Sequence, residues 1–391
     1  MKNNITKLLG LEDVIVKNVY EDNDECHIEI SLPRRKHCCP RCGSMTDRIH
    51  DYREQKVKDL DVHGVHTYLH IRKRRYVCRE CGKRFCESSN FLPHYRRATN
   101  RLVAKVICDF RSLRSAKDIG QANNISGQTA LRYFGLVNYF CTRLLEILSI
   151  DEFKGNAGGE EYQTIITDAK NKKKIDVLPN RKKSDLIRYF RNFENKKDVK
   201  YVVIDMNRNF KNVAETCFPK ATIVIDCYHV TRQAIWALEN VRKAEQRFLP
   251  KQWRRLCKHS KRLLCKQPDK LKEEEKQQLR RILGLSTRLE IAYDLKNDFL
   301  EFMHSPDSAT AKNQQSDWLF HAENSRIPEF SVCIKAMRNW SEYNLNGFDV
   351  SYTNGFTEGC NNKTKVLKRV CFGVRKFKTF RNRILHCTSS W

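Results

Sequence analysis

Three acidic residues each follow a short apolar segment of the chain. The segments are LSID, KYVVID and ATIVID, which end on Asp151, Asp205 and Asp226. Short runs rich in β-branched residues predict buried strands, and open α/β sheets bind ligands just beyond the carboxyl ends of such strands. A single aspartate there is commonly the cap of the next helix, whereas three favour a shared site.

A fourth carboxylate, Glu358, stands in a strongly basic segment. The segment is TNGFTEGCNNKTKVLKR, residues 353–369, and its cations are Lys363, Lys365, Lys368 and Arg369. An acid near the start of a helix is mildly stabilising, so this residue alone indicates little. The four cations are candidates for binding phosphate groups, and the alternative is that they form a solvated helix face.

Four cysteines form two matched pairs in the amino-terminal third. In CCPRCG and YVCRECG, two residues separate the cysteines of a pair and a glycine follows; the four are Cys39, Cys42, Cys78 and Cys81. This pattern predicts a tetrahedral zinc site, structural because four thiolates leave no open position. A redox dithiol or free thiols are the alternative. The roles of the neighbouring Cys38 and Cys86 stay open.

The long interval between the cysteine pairs requires an inserted hairpin. The segment HTYLHIRKRRYVC, after a turn at His63 and Gly64, has the extended character expected of one of its strands.

The segment RSAKDIGQANNISGQTALRYFGLV predicts two short helices joined by a turn. The first runs from about Ser115 to Ala122, the turn is at Asn123 and Asn124, and Ser126 is the N-cap of the second. The positions expected in a small core are Ile119, Ile125 and Leu131. The positions expected to face a DNA groove are Gln128, Thr129 and Arg132. A helix-turn-helix has this pattern, and so does an ordinary helical hairpin.

The rest of the chain predicts a sheet interrupted by a helical segment. From about Leu148 to Asp226 the order is β-β-β-α-β-α-β, which indicates a mixed α/β sheet. From about Thr231 to Asn344 the periodicity is helical, with breaks at Pro250, Pro268, Pro306 and Pro328. Within it, a capping box at Thr287 and Glu290 precedes an apolar face formed by Ile291, Leu295, Phe299 and Phe302.

Together these features resemble the ISL3 family of insertion-sequence transposases over nearly the whole chain. The resemblance rests on the cysteine pairs, on IDEFKG around Asp151, on DCYH from Asp226 to His229, and on the segment around Glu358. It implies a ribonuclease H-like core in which the first and fourth strands each deliver an aspartate and a later helix delivers a glutamate. By this resemblance Asp151, Asp205 and Glu358 are expected to bind two Mg²⁺ or Mn²⁺ ions. Asp226 and His229 are expected to support the ligands or to position DNA.

We therefore predict a multidomain α/β protein with a ribonuclease H-like mixed sheet and an all-helical insertion, preceded by a zinc ribbon and a helix-turn-helix. The predicted boundaries are 1–95 for the zinc ribbon, 96–146 for the helix-turn-helix, 147–230 for the first part of the core, 231–345 for the insertion and 346–391 for the Glu-bearing helix and the carboxyl terminus.

Charge and hydropathy indicate the partners. Lys and Arg number 74 against 46 Asp and Glu, a net charge of +28 spread along the chain, which predicts binding to nucleic acid. An apolar run of about 18 residues is absent from the sequence, and the start lacks the apolar core of a signal peptide. We expect a bacterial, cytoplasmic and nucleoid-associated protein with no membrane partner. The resemblance implies double-stranded DNA as partner and a homodimer or larger synaptic assembly.

The predicted function is that of a DNA transposase. It would bind the terminal repeats of its own element through the zinc ribbon and helix-turn-helix, and then cleave and join strands. One alternative is a zinc-dependent DNA-binding regulator with an inactive nuclease-like core, and every expected carboxylate is present, which argues against it. Another is a junction-resolving or RNA-cleaving nuclease, which has no need of a sequence reader.

Overall fold

The computed structural model describes residues 10, 11 and 13–387, which form two compact units. One unit comprises the described residues up to Tyr139, Val366–Val374 and those from Lys378 onward, and the other comprises Phe140–Lys365 and Arg375–Phe377. The expectation about a signal peptide concerns the first residues of the chain, most of which lie outside the described residues. Within the described part, no helix is both long and apolar enough to cross a membrane.

The first unit contains a five-stranded sheet and a separate pair of short strands. In chain order the strands are β1 (Ile15–Asp22), β2 (Glu25–Ser31), β3 (His37–Cys38), β4 (Met45–Thr46), β5 (Ile49–Lys58), β6 (His66–Val77) and β7 (Arg84–Cys86). The order in the larger sheet is β1-β2-β6-β5, with β7 also paired to β6, while β3 pairs with β4. Strands β5 and β6 are the hairpin predicted between the cysteine pairs. Their turn contains Gly64 at φ 81°, a conformation that glycine adopts without strain.

Three helices follow this sheet, α1 (Asn100–Asp109), α2 (Ala116–Ala122) and α3 (Gly127–Phe134). The α2–α3 pair begins where the sequence predicts it. The side chains of Ser115 and Ser126 accept hydrogen bonds from the third backbone N–H of their helices, and so act as N-caps. Ile119 is fully buried, and Ile125 and Leu131 pack against the same cluster.

The second unit is built around a mixed sheet of five strands. They are β8 (Ile147–Ala157), β9 (Glu160–Asp168), β10 (Lys173–Leu178), β11 (Tyr201–Ile204) and β12 (Thr222–Ile225). The spatial order is β10-β9-β8-β11-β12; β8, β9 and β10 are antiparallel to one another, whereas β11 is parallel to both β8 and β12. In this order β11 lies next to β8, and β12 lies outside β11.

One strand end differs from the prediction. Strand β8 does not end on Asp151 but continues to Ala157, because its antiparallel pairing with β9 extends through Lys154 opposite Tyr162. Its parallel partner β11 stops earlier, at Ile204 opposite Ile150. Asp151 therefore lies one residue beyond the last parallel pair, level with the end of β11, although it is inside a strand.

Helices cover the sheet and form the insertion. The first two are α4 (Lys183–Arg191) and α5 (Arg208–Cys217); those of the insertion are α6 (Cys227–Phe248), α7 (Lys251–His259), α8 (Lys261–Cys265), α9 (Glu273–Leu283), α10 (Thr287–Phe302), α11 (Ser308–Asn324) and α12 (Ser331–Leu345). Two predictions for α10 are wrong. Its N-cap is Ser286 rather than Thr287, and Ile291 is 39% exposed because the buried stripe follows Leu289, Ala292 and Lys296, which leaves Ile291 on its flank.

The last two helices are α13 (Gly355–Val370), which carries Glu358, and α14 (Phe377–His386). In the first unit, α14 packs through Arg383, whose side chain is buried over the ring of Phe110, 4.6 Å from its centroid. The Arg383 guanidinium also donates to the carbonyl oxygens of Phe110 and Arg114 at 2.7 and 2.8 Å. The carboxyl-terminal helix is therefore part of the same core as the α2–α3 pair.

Candidate functional site

Four carboxylates lie at one edge of the second unit's sheet. Asp151 follows the last parallel pair of β8, Asp205 follows β11 directly, and Asp226 follows β12 at the N-cap position of α6. The carboxyl ends of parallel strands meet at the same edge, so the register brings the three aspartates together. Glu358 reaches this edge from the first turn of α13.

The start of α13 supplies hydrogen-bond donors to all three aspartates. Asn361 Nδ2 donates to Asp151 Oδ2 at 2.6 Å, and Asn354 Nδ2 donates to Asp205 Oδ1 at 3.1 Å. The backbone N–H of Asn354 donates to Asp226 Oδ1 at 3.2 Å. The two asparagines are site residues that sequence reasoning missed. Their positions, four residues before and three after Glu358, place them on the same side of a helix as the glutamate, and that was the available signal.

Buried hydroxyl groups of the sheet and of α13 fix the orientation of the Asn354 side chain. Ser149 on β8 donates to Asn354 Oδ1 and lies 2.6 Å from the hydroxyl of Thr357, which in turn lies 2.7 Å from that of Thr167. All four side chains are buried. A satisfied buried network of this kind fixes side-chain orientation, so the amide that contacts Asp205 is oriented by the sheet itself.

His229 on α6 bridges two of the carboxylates. Its Nε2 is 3.2 Å from Asp205 Oδ2 and 3.5 Å from Glu358 Oε1. Its Nδ1 is 3.1 Å from an Arg232 guanidinium nitrogen. Because arginine only donates hydrogen bonds, Nδ1 accepts, and the ring proton of a neutral His229 is on Nε2, facing the carboxylates.

Burial and mutual repulsion make the ionised state of the cluster costly. Burial raises the pKa of Asp151 to about 7, and the negative charge of Asp205 adds to the rise. Burial likewise raises the pKa of Asp205 and of Asp226. A nearby cation would relieve both effects.

The donor set fits a hard divalent cation. One ligand atom from each of Asp205, Asp226 and His229 lies within 4.8 Å of the others. Asn361 Oδ1 is buried and finds no hydrogen-bond donor among the described residues. Carboxylate and amide oxygens are the ligands that suit Mg²⁺ or Mn²⁺.

The basic residues after Glu358 differ in placement. Lys365 is exposed and follows Glu358 by seven residues, two helical turns, so it lies on the same face of α13. Lys363 is half-buried and projects from another side of the helix. Lys368 is half-buried and Arg369 is exposed, both in the part of α13 that belongs to the first unit.

On α3 the three residues expected to face outward are not equivalent. Gln128 and Arg132 are exposed. Thr129 is half-buried, with its backbone N–H donating to Ser126 Oγ at 3.1 Å and its hydroxyl accepting from that oxygen at 2.9 Å. Thr129 therefore contributes to the helix cap.

Helices α2 and α3 pack closely at their glycines, since a Cβ on Gly120 would lie 2.7 Å from the backbone nitrogen of Gly127.

The four predicted cysteines converge in the first unit. The Sγ atoms of Cys39 and Cys81 are 3.5 Å apart, as are those of Cys42 and Cys78, and all four lie within 4.8 Å of one another. Hydrogen bonds from Ser44 lower the pKa of the Cys42 thiol to about 6, which favours the thiolate that binds metal. Cys38 and Cys86 are not members of the cluster. The geometry and chemistry fit a structural Zn²⁺.

Comparisons with known proteins give two family matches and two curated relatives. A family model described as "Transposase" matches residues 148–384, and one described as a zinc-finger of transposase IS204/IS1001/IS1096/IS1165 matches residues 35–81, a range that includes all four clustered cysteines. The chain is 24% identical over 363 residues to the transposase for insertion sequence element IS1001 of Bordetella parapertussis, covering 88% of this chain and 86% of that protein. A shorter match, 30% identical over 106 residues, is to an ATP-dependent protease of Lactococcus lactis subsp. lactis and covers 27% of this chain and 32% of that protein.

Proposed function

Because the chain belongs to the ISL3 family of transposases, we propose that it binds the terminal repeats of its own element and catalyses cleavage and transfer of DNA strands. The observation that carries this proposal is that Asp151, Asp205 and Glu358 lie at one sheet edge. There His229 Nε2 faces both Asp205 and Glu358, and Asn361 donates a hydrogen bond to Asp151. A ribonuclease H-like core is supported by the order β10-β9-β8-β11-β12, in which the first three strands are antiparallel and the last two run parallel to β8.

Asp151, Asp205 and Glu358 are the proposed ligands of two Mg²⁺ or Mn²⁺ ions. When bound, such ions lower the pKa of an attacking water or 3′-hydroxyl and neutralise the charge that develops on the leaving oxygen. The side chains of Asn361 and Asn354 each bond one oxygen of an aspartate, which holds the carboxylates in a fixed orientation. His229 and Asp226 support this arrangement, the first by facing Asp205 and Glu358, the second by binding the backbone of Asn354.

We assign DNA binding to two groups of residues. In the first unit, α2 and α3 are proposed as a helix-turn-helix that reads sequence through Gln128, Thr129 and Arg132, beside the zinc ribbon. The proposed phosphate-binding residues on α13 are Lys363, Lys365, Lys368 and Arg369. Lys365 is the strongest of these, because it is exposed on the face of Glu358. The partners are the terminal repeats and a target duplex, and the active form is a homodimer or larger synaptic assembly in the bacterial cytoplasm, associated with the nucleoid.

The test uses purified full-length protein and DNA that carries both ends of its own element. With Mg²⁺ or Mn²⁺ we expect strand breaks at the element ends, mapped to the nucleotide, and joined products with a target plasmid. Asp151→Asn should bind the same DNA and leave it intact. Binding to the ends without any break, in either metal, would indicate a regulator with an inactive core and would overturn the catalytic proposal.

A further inference from the structure

Helix α6 carries an arginine between two exposed aromatic side chains. Tyr228, Arg232 and Trp236 are spaced four residues apart, so they follow one another along one side of the helix. The Arg232 guanidinium carbon lies 4.5 Å from the ring centroid of Trp236 and 5.8 Å from that of Tyr228. Tyr228 is 56% exposed and Trp236 is 50% exposed. We call these three side chains the aromatic ladder.

The ladder begins at the carboxylate cluster. Arg232 donates to Nδ1 of His229, whose Nε2 faces Asp205 and Glu358. The ring of Tyr228 meets that of His229 edge to face, with centroids 5.7 Å apart. A molecule lying on the ladder would therefore have one end beside the carboxylates.

Arg232 also has an unused donor. Its Nε–H is buried and has no acceptor among the described residues, and a buried donor without a partner is costly. Aromatic rings that remain half exposed on a protein of net charge +28 are not explained by core packing. The two observations together indicate a ligand with a flat π face and hydrogen-bond acceptors.

We propose that the aromatic ladder binds an unstacked nucleotide of the DNA end, with its base stacked on Trp236 and its acceptors toward Arg232. This inference rests on the proposed function, which supplies the DNA. Paired bases present only their edges, whereas an unpaired or flipped base presents the face that aromatic side chains and arginine bind. A nucleotide held there would direct the adjoining strand along α6 toward His229 and the carboxylates.

The test follows 2-aminopurine fluorescence in an element end that carries the fluorophore in a short unpaired overhang, in the absence of divalent metal. Wild-type protein should quench the fluorophore by stacking. Trp236→Ala should lose the quenching and bind this DNA roughly 5- to 100-fold more weakly, the usual range for one base–aromatic contact. Trp236→Phe should retain most of both. The matched control is Phe248→Ala, because Phe248 is 82% exposed near the end of the same helix but is not in the ladder.

Two further substrates separate this inference from the proposed function. On a fully paired duplex of the same sequence, Trp236→Ala should bind as wild type does, and an equal loss on both duplexes would overturn the ladder. Wild-type protein should bind an oligonucleotide of four thymidines more tightly than an abasic strand with the same number of phosphates. If this preference depends on Trp236 while element ends are neither bound nor cut, the inference about the aromatic ladder is supported and the proposed function is refuted. Quenching that survives in Trp236→Ala, together with normal cleavage of element ends, would refute the inference about the aromatic ladder and leave the proposed function standing. A ladder covered by a protein partner would give this last result.

Discussion

Asn361 donates a hydrogen bond to Asp151 across 210 positions of sequence, with 2.6 Å between Nδ2 and Oδ2. The other carboxylate oxygen of Asp151 accepts from the backbone N–H of Glu152 at 2.7 Å, so both oxygens are fixed. Asn361 lies three residues after Glu358 on α13. One helix therefore presents the glutamate and also holds the carboxylate of Asp151 in a fixed orientation.

Asn361→Leu should raise the Mg²⁺ concentration that cleavage requires while leaving the fold intact. Leucine has a similar volume but cannot donate to Asp151, and loss of such a supporting hydrogen bond typically costs about 10- to 100-fold in metal affinity or activity. The measurement is single-turnover cleavage against Mg²⁺ concentration, which should shift to higher Mg²⁺. Asn362→Leu is the control, because Asn362 is exposed and does not contact Asp151. An unchanged Mg²⁺ dependence in Asn361→Leu would show that Asp151 needs no such support.

In Mg²⁺-free buffer the second unit should lose stability as the pH rises from about 4 to about 7. The pKa of Asp151 is about 7 in the folded state, above its value in an unfolded chain. The folded state therefore binds this proton more tightly, and the resulting stabilisation of the fold disappears as the carboxyl group ionises. Asp205 and Asp226 act in the same direction. One pKa unit corresponds to about 1.4 kcal/mol. Asp151→Asn should therefore reduce the difference in unfolding free energy between pH 5 and pH 8 by on the order of 1 kcal/mol or more.

Urea unfolding followed by tryptophan fluorescence measures this difference. Four of the five tryptophans lie in the second unit, at Trp236, Trp253, Trp318 and Trp340. Adding Mg²⁺ at pH 8 should stabilise wild type and not Asp151→Asn, since a ligand stabilises the state that binds it. An equal pH dependence in the two proteins would contradict the assignment to Asp151.

Local signals explain which parts of the fold were predictable. Helix caps and cysteine pairs depend only on residues a few positions apart. The helices capped by Ser115 and Ser126 and the cluster of four cysteines therefore lie where they were predicted. The end of β8 depends on its pairing with β9, which local sequence does not contain, and there the prediction was wrong.

The roles of buried polar side chains were the least predictable. Asn361 contacts Asp151, and Asn354 contacts Asp205, only because distant elements meet. Arg383 lies in a basic segment of the sequence, yet it is only 2% exposed. Sequence periodicity identifies the face of a helix on which such residues lie, whereas their partners depend on the tertiary fold.

Removing one zinc ligand should unfold the amino-terminal region and spare the second unit. Metal binding supplies on the order of 10 kcal/mol to the folding of such small sites. Cys39→Ser should lose zinc and hydrogen-exchange protection up to about Pro93, with the strands of the second unit unchanged. Cys38→Ser is the control, since Cys38 is exposed and outside the cluster. Wild-type protein that contains no zinc after purification without chelator would refute the zinc site.

Arg132→Ala and Lys365→Ala should affect DNA binding differently. Arg132 is exposed on α3 and is proposed to read bases, so its loss should reduce the preference for terminal repeats over random DNA. Lys365 is proposed to bind phosphate, so its loss should weaken binding to every sequence alike. For wild type, contact with roughly six to ten phosphates predicts a loss of about three to five decades in affinity between 50 and 200 mM salt. An unchanged preference in Arg132→Ala would mean that α3 does not read bases.

The second catalytic aspartate is the assignment that substitution can decide most directly. One ligand atom from each of Asp205, Asp226 and His229 lies within 4.8 Å of the others, so distance alone does not choose between the two aspartates. Strand order favours Asp205, because β11 lies between β8 and β12, and Asp226 already accepts from the backbone of Asn354. Asp205→Asn, like Asp151→Asn and Glu358→Gln, should abolish Mg²⁺-dependent cleavage while DNA binding persists or tightens, since losing a negative charge reduces repulsion of phosphate. Asp226→Asn should retain residual cleavage. Normal cutting by Asp205→Asn together with complete inactivity of Asp226→Asn would place the metal ligand on the outer strand and make Asp226 the second member of the triad.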